Sequence, residues 1–322
     1  MSTPAAEAPA LETSGLSKSY PTGVLHQGRR SALEELTLSV PRGEVFGYLG
    51  PNGSGKTTTL KLLLGLLRAD RGSARVLGVP HTERAWRYRV GYLPENPYLY
   101  DYLTPTEYLD YAGRLFGMRA SERRERSGRL LQRVGLTESA RVPMRRFSKG
   151  MLQRAGLAQA LLNDPELVFL DEPMSGLDPI GRHMVKEIIL DLRGRGRTVL
   201  FSTHILSDAE SLCDRVGLLR AGRLVTVGRL DEILRIDVAH LEVLVSGVDA
   251  GLLERLAGLK GKRALGERWS LEVEERSLGP VATAVQQAGG RILSVQPVRE
   301  SLEEYFMREM GAQAGGRPWE AA

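Results

Sequence analysis

The run Gly50-Pro51-Asn52-Gly53-Ser54-Gly55-Lys56-Thr57 constrains this chain more than any other stretch of it, because it fits G-x-x-x-x-G-K-[ST] at each fixed position. Such a loop works only between a buried strand and a helix. Glu44 to Leu49 reads as that strand, and Thr57 to Leu67 as an apolar helix whose N-terminal dipole favours anions. Glycines at positions 50, 53 and 55 let backbone N–H groups turn inward around phosphate oxygens, where a Cβ would block the approach. Lys56 then reaches the β- and γ-phosphates, Thr57 offers its hydroxyl to Mg²⁺, and Thr58 stands beside them. The expectation is a bound nucleoside triphosphate with Mg²⁺.

With 322 residues, 42% of them apolar and 26% charged, the chain has material for two soluble domains with their own cores. Its one cysteine, Cys213, has no intrachain partner, which points to a reducing cytoplasm. The first dozen residues lack the basic start and apolar stretch of a secretion signal and are expected to form a tail. No window approaches 18 apolar residues, so any transport role needs a separate membrane subunit. A net charge of +5 separates few partner classes. The densest basic stretch, Arg119 to Arg133, is interleaved with Glu122 and Glu125 and has no aromatic for stacking on bases. It reads as a solvated helix face, with lipid or nucleic-acid contact as the alternative.

Strand-like and helical runs alternate from about residue 13 to 235, the pattern of an α/β domain on a mainly parallel sheet. Candidate buried strands are Val45 to Leu49, Arg89 to Leu93, Leu167 to Leu170, Thr198 to Ser202 and Arg215 to Leu219. Thr104 to Arg133 interrupts them as a helical subdomain. Residues 236–311 carry shorter elements: strands at His240 to Val245, Trp269 to Val273 and Arg291 to Val298, with helices at Gly251 to Ala257, Leu278 to Ala288 and Ser301 to Met310. They predict a small C-terminal α+β domain. Ser301-Leu302-Glu303-Glu304 resembles a capping box, and 312–322 reads as a tail.

Two strands end in chemistry. Leu167-Val168-Phe169-Leu170 runs into Asp171-Glu172-Pro173, and a strand buried on both faces rarely ends in two carboxylates without a use for the charge. Asp171 is assigned to Mg²⁺ and Glu172 to orienting and polarising the attacking water. Thr198 to Thr203 ends in His204. In a parallel sheet, ligands sit at the carboxyl ends of the strands, so His204 is expected beside the acidic pair and within reach of the γ-phosphate. His26, His81, His183 and His240 have no comparable context.

Residues 13–235 resemble the ATP-binding cassette family, specifically the nucleotide-binding subunits of ABC transporters. The discriminating segment is Phe147-Ser148-Lys149-Gly150-Met151 with Gln153-Arg154, standing where the family has Leu-Ser-Gly-Gly-Gln. Lys149 and Met151 depart from that pattern, whereas Ser148 and Gly150 keep it. By this resemblance Ser148 and Gly150 contact the γ-phosphate held by an opposing subunit, at a helix start suited to anions. Ser175-Gly176-Leu177-Asp178 is similar to the loop that couples two active sites across a dimer. Tyr20 stands where an aromatic ring stacks on adenine. Glu95, in Gly91-Tyr92-Leu93-Pro94-Glu95, takes the family's glutamine position near Mg²⁺; a carboxylate there accepts from metal-bound water but does not donate as an amide does.

The resemblance implies a P-loop ATPase fold, ATP with Mg²⁺, a homodimer or a pairing with a paralogous cassette, and a membrane permease as partner. Location is then the cytoplasmic face of the plasma membrane, peripherally bound, and no nucleic acid is expected. Tyr98, Tyr100 and Tyr102 lie where a permease helix docks in the family, or pack locally against their own loop. Glu95, the Ser-Lys-Gly-Met run and the C-terminal domain look like ABC-2-type exporter ATPases. Two rival readings are a soluble mechanochemical ATPase acting on ribosomes or DNA and a non-catalytic ATP-sensing scaffold. The second is disfavoured by intact Lys56, Asp171 and Glu172.

Overall fold

The protein is described from a computed structural model covering residues 8–22, 28–234, 240–298 and 302–312. It divides into two compact units, Met1–Leu230 and Asp231–Ala322.

In the first unit the chain opens with an antiparallel hairpin, β1 (Leu11–Thr22) and β2 (Gly28–Val40), before β3 (Val45–Leu49) runs into the glycine loop and α1 (Lys56–Leu63). β4 (Arg71–Val76) and β5 (Val79–Pro80) follow, then β6 (Val90–Leu93). Three helices come next: α2 (Pro105–Leu115), α3 (Ala120–Arg133) and α4 (Lys149–Ala160). β7 (Leu167–Asp171), α5 (Pro179–Gly194), β8 (Thr198–Thr203), α6 (Leu206–Leu212), β9 (Arg215–Arg220) and β10 (Arg223–Arg229) complete the run, and the single turn α7 (Leu230–Ile233) spans the boundary to the second unit.

These strands make two sheets. One is antiparallel, ordered β2-β1-β4-β5; the other is ordered β10-β9-β3-β8-β7-β6 and is parallel except for β10 at its edge. Every residue of β3, β7 and β8 is buried, the signature of strands covered on both faces, which is why their centres (residues 45–49, 167–170 and 199–201) are apolar runs rather than alternating ones. Their pairing is in step. Leu49 lies opposite Thr203, and Asp171 opposite Ser202, so the carboxyl ends of all three reach one edge of the sheet. Phe46, Tyr48, Leu60, Leu63, Trp86, Leu167, Phe169 and Leu200 belong to one core that also takes Leu11, Leu16 and Leu33 from the hairpin.

Several boundaries differ from expectation. The segment read as a helical subdomain from Thr104 to Arg133 holds two helices, α2 and α3. Thr104 caps α2 through a reciprocal capping box with Glu107, and Pro105 occupies the first turn, where its missing N–H costs nothing. On α3, Glu122 and Glu125 pair with Arg126 and Arg129 one turn on, while Arg123 and Arg133 reach Asp110 and Asp191, consistent with a solvated face. The expected tail also shortens, because Ala10 and Leu11 are fully buried and β1 begins at Leu11.

The second unit holds β11 (His240–Ser246), α8 (Ala250–Arg255), β12 (Leu259–Leu265), β13 (Arg268–Val273), α9 (Leu278–Gln287), β14 (Arg291–Val298) and α10 (Leu302–Ala312). Its antiparallel sheet is ordered β12-β13-β11-β14. Val243, Val245, Leu271 and Val273 pack under Leu253, Val281 and Val285 to give a small separate core. β12 is a strand the sequence hides, since Leu-Lys-Gly-Lys-Arg-Ala-Leu lacks an apolar alternation. Ser301, the expected cap of α10, and His26 lie outside the described residues. Among the described residues no helix is long and apolar enough to cross a membrane.

Candidate nucleotide site

The glycine loop joins β3 to α1 at the sheet edge just described. Gly55 caps α1 with φ 110°, a conformation L side chains avoid, and a Cβ there would stand 2.3 Å from the Ala32 carbonyl oxygen. A Cβ on Gly50 would meet the Leu219 carbonyl oxygen at 2.3 Å and Ser54 Oγ at 2.6 Å. The loop is therefore pressed between β2 and β9, and Asn52, Gly53, Gly55, Lys56 and Thr57 of the loop and the start of α1 line a cavity. Lys56, only 6% exposed, folds back so that Nζ donates to the carbonyls of Gly50 (2.7 Å) and Pro51 (3.2 Å). Burial pushes the Lys56 pKa down, opposed by the carboxylates of Glu172 and Asp171.

Asp171 ends β7 and is fully buried. Ser202 Oγ on the neighbouring strand donates to its Oδ1 at 2.5 Å, while Oδ2 has no hydrogen-bond partner among the described residues. A buried carboxylate oxygen left unpaired costs on the order of 1–3 kcal/mol or more, and a cation removes that cost. The same carboxylate contributes, after burial, to raising the Tyr92 pKa to about 12.

Glu172 follows in the left-handed region at φ 48°, where a residue with a Cβ pays about 1–2 kcal/mol. The kink is held from three sides. Its N–H donates to Ser202 O and Oγ (both 3.2 Å), and its carbonyl accepts from Gln153 Nε2 at 3.3 Å. Glu172 Oε1 lies 3.0 Å from His204 Nδ1 and 3.6 Å from Lys56 Nζ. Gln153, 1% exposed on α4, thus ties the helix that begins at Ser148 to the acidic strand end. Its place in the Gln153-Arg154 pair carries no sequence signal for that tether.

A cavity of about 470 Å³ opens over this edge. Of the residues expected at the nucleotide, Tyr20, Asn52, Gly53, Gly55, Lys56, Thr57, Thr58, Glu95, Glu172 and His204 line it. Gly50, Pro51, Ser54 and Asp171 are not in its lining. Gly50, Ser54 and Asp171 are buried behind it, and Ser54 Oγ also lacks a partner there. Thr22, Arg30, Ser31 and Ala32 of the hairpin line the cavity although nothing in the sequence marks them. Ser148 and Gly150 are elsewhere: Ser148 is exposed and caps α4, accepting from Met151 N at 3.2 Å. Ser175 joins the cavity wall, and Asp178, three residues on, caps α5 by accepting from Gly181 N at 2.7 Å.

The residues fit ATP with a divalent cation. Gly50 and Gly55 shape a loop whose Cβ positions are closed, the one ammonium of Lys56 lines the cavity, and the hydroxyl of Thr57 with the unpaired carboxylate oxygen of Asp171 offers hard oxygen donors of the kind suited to Mg²⁺.

The family model described as ABC transporter matches residues 33–175. An uncharacterised ABC transporter ATP-binding protein of Synechocystis is 44% identical over 309 residues, covering 95% of this chain and 86% of that protein. Nod factor export ATP-binding protein I of Ralstonia nicotianae is 36% identical, covering 95% of both chains. A daunorubicin resistance ATP-binding protein of Streptomyces coeruleorubidus is 37% identical, covering 94% of this chain and 96% of its own. Among solved structures, an ATP-binding subunit of an ABC transporter superposes with a TM-score of 0.64 at 36% identity, over 70% of this chain and 92% of that one.

Proposed function

This chain belongs to the ABC transporter family as an ATP-binding subunit, and from that premise we propose that it hydrolyses ATP to drive an exporter whose membrane-spanning part is a separate chain. The observation that carries the reading is the convergence of Lys56, Glu172 and His204 on one cavity, with Asp171 buried behind them, at the carboxyl ends of three adjacent parallel strands. Relatives named for Nod factor export and daunorubicin resistance support the export direction. The absence of a membrane-crossing helix among the described residues is consistent with a permease on another chain.

In this proposal the loop and α1 hold the triphosphate, Lys56 turns from its own loop carbonyls to the β- and γ-phosphates, and Tyr20 takes the base. Thr57 and Asp171 would hold Mg²⁺, which when bound neutralises phosphate charge, and Glu95 would meet it through water. Glu172 takes the proton of the attacking water, and His204 fixes the carboxylate that does so. The left-handed turn at Glu172 sets that carboxylate beside Lys56 before any ligand arrives, which is electrostatic preorganisation.

Ser148 and Gly150 serve a second cassette. Both lie outside the cavity lining, so they complete a site only when two copies, or this chain and a paralogue, meet head to tail. The exposed rings of Tyr98, Tyr100 and Tyr102 (97%, 47% and 65% exposed) form the surface proposed for the permease, on the cytoplasmic face of the membrane.

The test is to recover tagged Glu172→Gln protein from gently solubilised native membranes in the presence of ATP and identify what accompanies it. A polytopic membrane protein is the expected companion. Recovery of only ribosomal or DNA-bound partners would overturn the transporter reading.

A further inference from the structure

The β1–β2 hairpin that carries Tyr20 outruns its sheet. On its inner side β1 pairs with β4 from Leu11↔Val76 up to Ser17↔Arg71, and there the ladder stops. Beyond it, Lys18 to Thr22 pair only with β2, through Ser19↔Ser31, Tyr20↔Arg30 and Pro21↔Arg29. A two-stranded ribbon of this length is marginally stable alone in water. Yet this ribbon presents Tyr20, Thr22, Arg30 and Ser31 to the nucleotide cavity.

Asp70, immediately before β4, takes over where the ladder ends. Its N–H donates to Ser17 O at 2.9 Å. Its carboxylate then accepts from both strands of the projecting ribbon. Oδ1 takes Lys18 Nζ (3.0 Å), and Oδ2 takes Ser19 N (2.9 Å), Ser19 Oγ (2.7 Å) and Arg29 Nη2 (3.1 Å). Arg29 also donates to Ser19 Oγ from Nε and Nη2, closing the ring. Lys18 Nζ, held by Asp70, lies 5.8 Å from the centre of the Tyr20 ring. Only a carboxylate offers enough lone pairs for four donors at once. These contacts, led by those from Ser19 and Lys18, hold the Asp70 pKa far below the usual carboxylate range.

We propose that Asp70 is a positioning residue for the nucleotide base, clamping both strands of the ribbon so that Tyr20 is presented in one place before the ligand arrives. The inference rests on the reading that Tyr20 takes the base. The exposed ion pairs in this clamp contribute little to stability singly. Their effect is on the population of the binding-competent ribbon, and apparent affinity falls in proportion to that population.

The experiment compares two probes by calorimetry on the full chain: ATP, and inorganic tripolyphosphate, which has no base. Tyr20→Ala is expected to weaken ATP binding about 5- to 100-fold, the range of base–aromatic stacking. Asp70→Ala is expected to weaken ATP by about 3- to 10-fold and to leave tripolyphosphate within about twofold, as for a ribbon ordered only part of the time. Asp70→Asn, which turns one acceptor into a donor facing Ser19 or Lys18, is expected to show the same selective loss. Tyr20→Ala combined with Asp70→Ala is expected to bind ATP no more weakly than Tyr20→Ala alone, because both act through one contact. Unchanged ATP affinity in both Asp70 variants, with a loss in Tyr20→Ala, overturns the clamp while sparing the base reading. Unchanged affinity in Tyr20→Ala overturns the base reading and the clamp with it. Equal losses of ATP and tripolyphosphate in the Asp70 variants make Asp70 a general structural residue and also overturn the clamp.

Discussion

His204 Nδ1 lies 3.0 Å from Glu172 Oε1, joining the residue after β8 to the residue after β7 across the edge of the parallel sheet. Lys56 Nζ stands 3.6 Å from the same oxygen. The imidazole is half exposed whereas the carboxylate is 10% exposed, so the histidine forms the outer member of the pair in the cavity wall. A carboxylate fixed from two sides loses little orientational freedom when it acts on water, which is the gain preorganisation provides.

Glu172→Gln keeps the shape of that side chain and removes its capacity to take a proton. ATP binding is expected to persist while turnover falls by about 10²- to 10⁴-fold, the usual contribution of a general base. The protein is also expected to accumulate as an ATP-bound dimer. Phosphate release and size-exclusion chromatography with and without ATP read both effects. Wild-type turnover in this variant would remove Glu172 from its assigned role.

His204→Ala leaves Glu172 anchored only through its backbone and by Lys56. Turnover is expected to drop by roughly 10²-fold with ATP affinity within about threefold of wild type, because the imidazole orients the carboxylate rather than supplying most of the phosphate binding. A matching loss in affinity and turnover would instead assign His204 to ground-state binding.

How much of this site was legible follows from burial. β3 and β7 are covered on both faces and are apolar until Gly50 and Asp171 break the run, while β8 keeps only Val199, Leu200 and Phe201 apolar before Ser202, Thr203 and His204. Arg30, Ser31 and Ala32 line the same cavity from β2, whose first four residues are exposed or half-buried and have no period to read. β4 and β12 were hidden for the same reason, since edge and one-faced strands tolerate Arg, Lys and Gly. The Gln153 tether depends on the fold bringing α4 beside the backbone of Glu172, a tertiary fact with no local trace.

A pH test bears on the base of the sheet. Glu166, just before β7, receives Arg89 through Nε (2.5 Å) and Nη2 (2.6 Å) and Arg42 through Nη1 (3.2 Å). The bidentate Arg89 bond chiefly holds its pKa below the usual 4.5. A depressed carboxylate pKa contributes stability that is fully present above 4.5 and is lost as pH falls through the folded value. Because the pair is about a third exposed, solvent screening limits it to about 1 kcal/mol. Glu166→Gln is therefore expected to lower the thermal midpoint by about 2–4 °C at pH 7, with the gap to wild type closing below pH 4.5. A gap that stays constant on acidification would show that ionic pairing is not its source.

Ser148 lies outside the lining of the cavity formed around the glycine loop. If each site takes its glycine loop from one copy and Ser148 from the other, Lys56→Ala damages one half of a site and Ser148→Arg the other half. Each variant alone assembles dimers with two broken sites. In a mixed dimer both lesions fall in the same site, because the loop of the first copy faces Ser148 of the second, and the remaining site has an intact loop and an intact Ser148. Random mixing makes about half of the dimers mixed, each with one whole site, so recovered ATPase activity is expected to approach roughly a quarter of wild type. Equal amounts of the two inactive variants, combined and assayed for phosphate release over a range of ratios, give the measurement, and the optimum is expected near one to one. Activity that never exceeds the sum of the separate variants would mean that Ser148 serves the site in its own chain, or that one whole site is not enough for turnover. A nucleotide-trapping assay on the same mixtures separates these, since only the shared arrangement holds one ATP per mixed dimer.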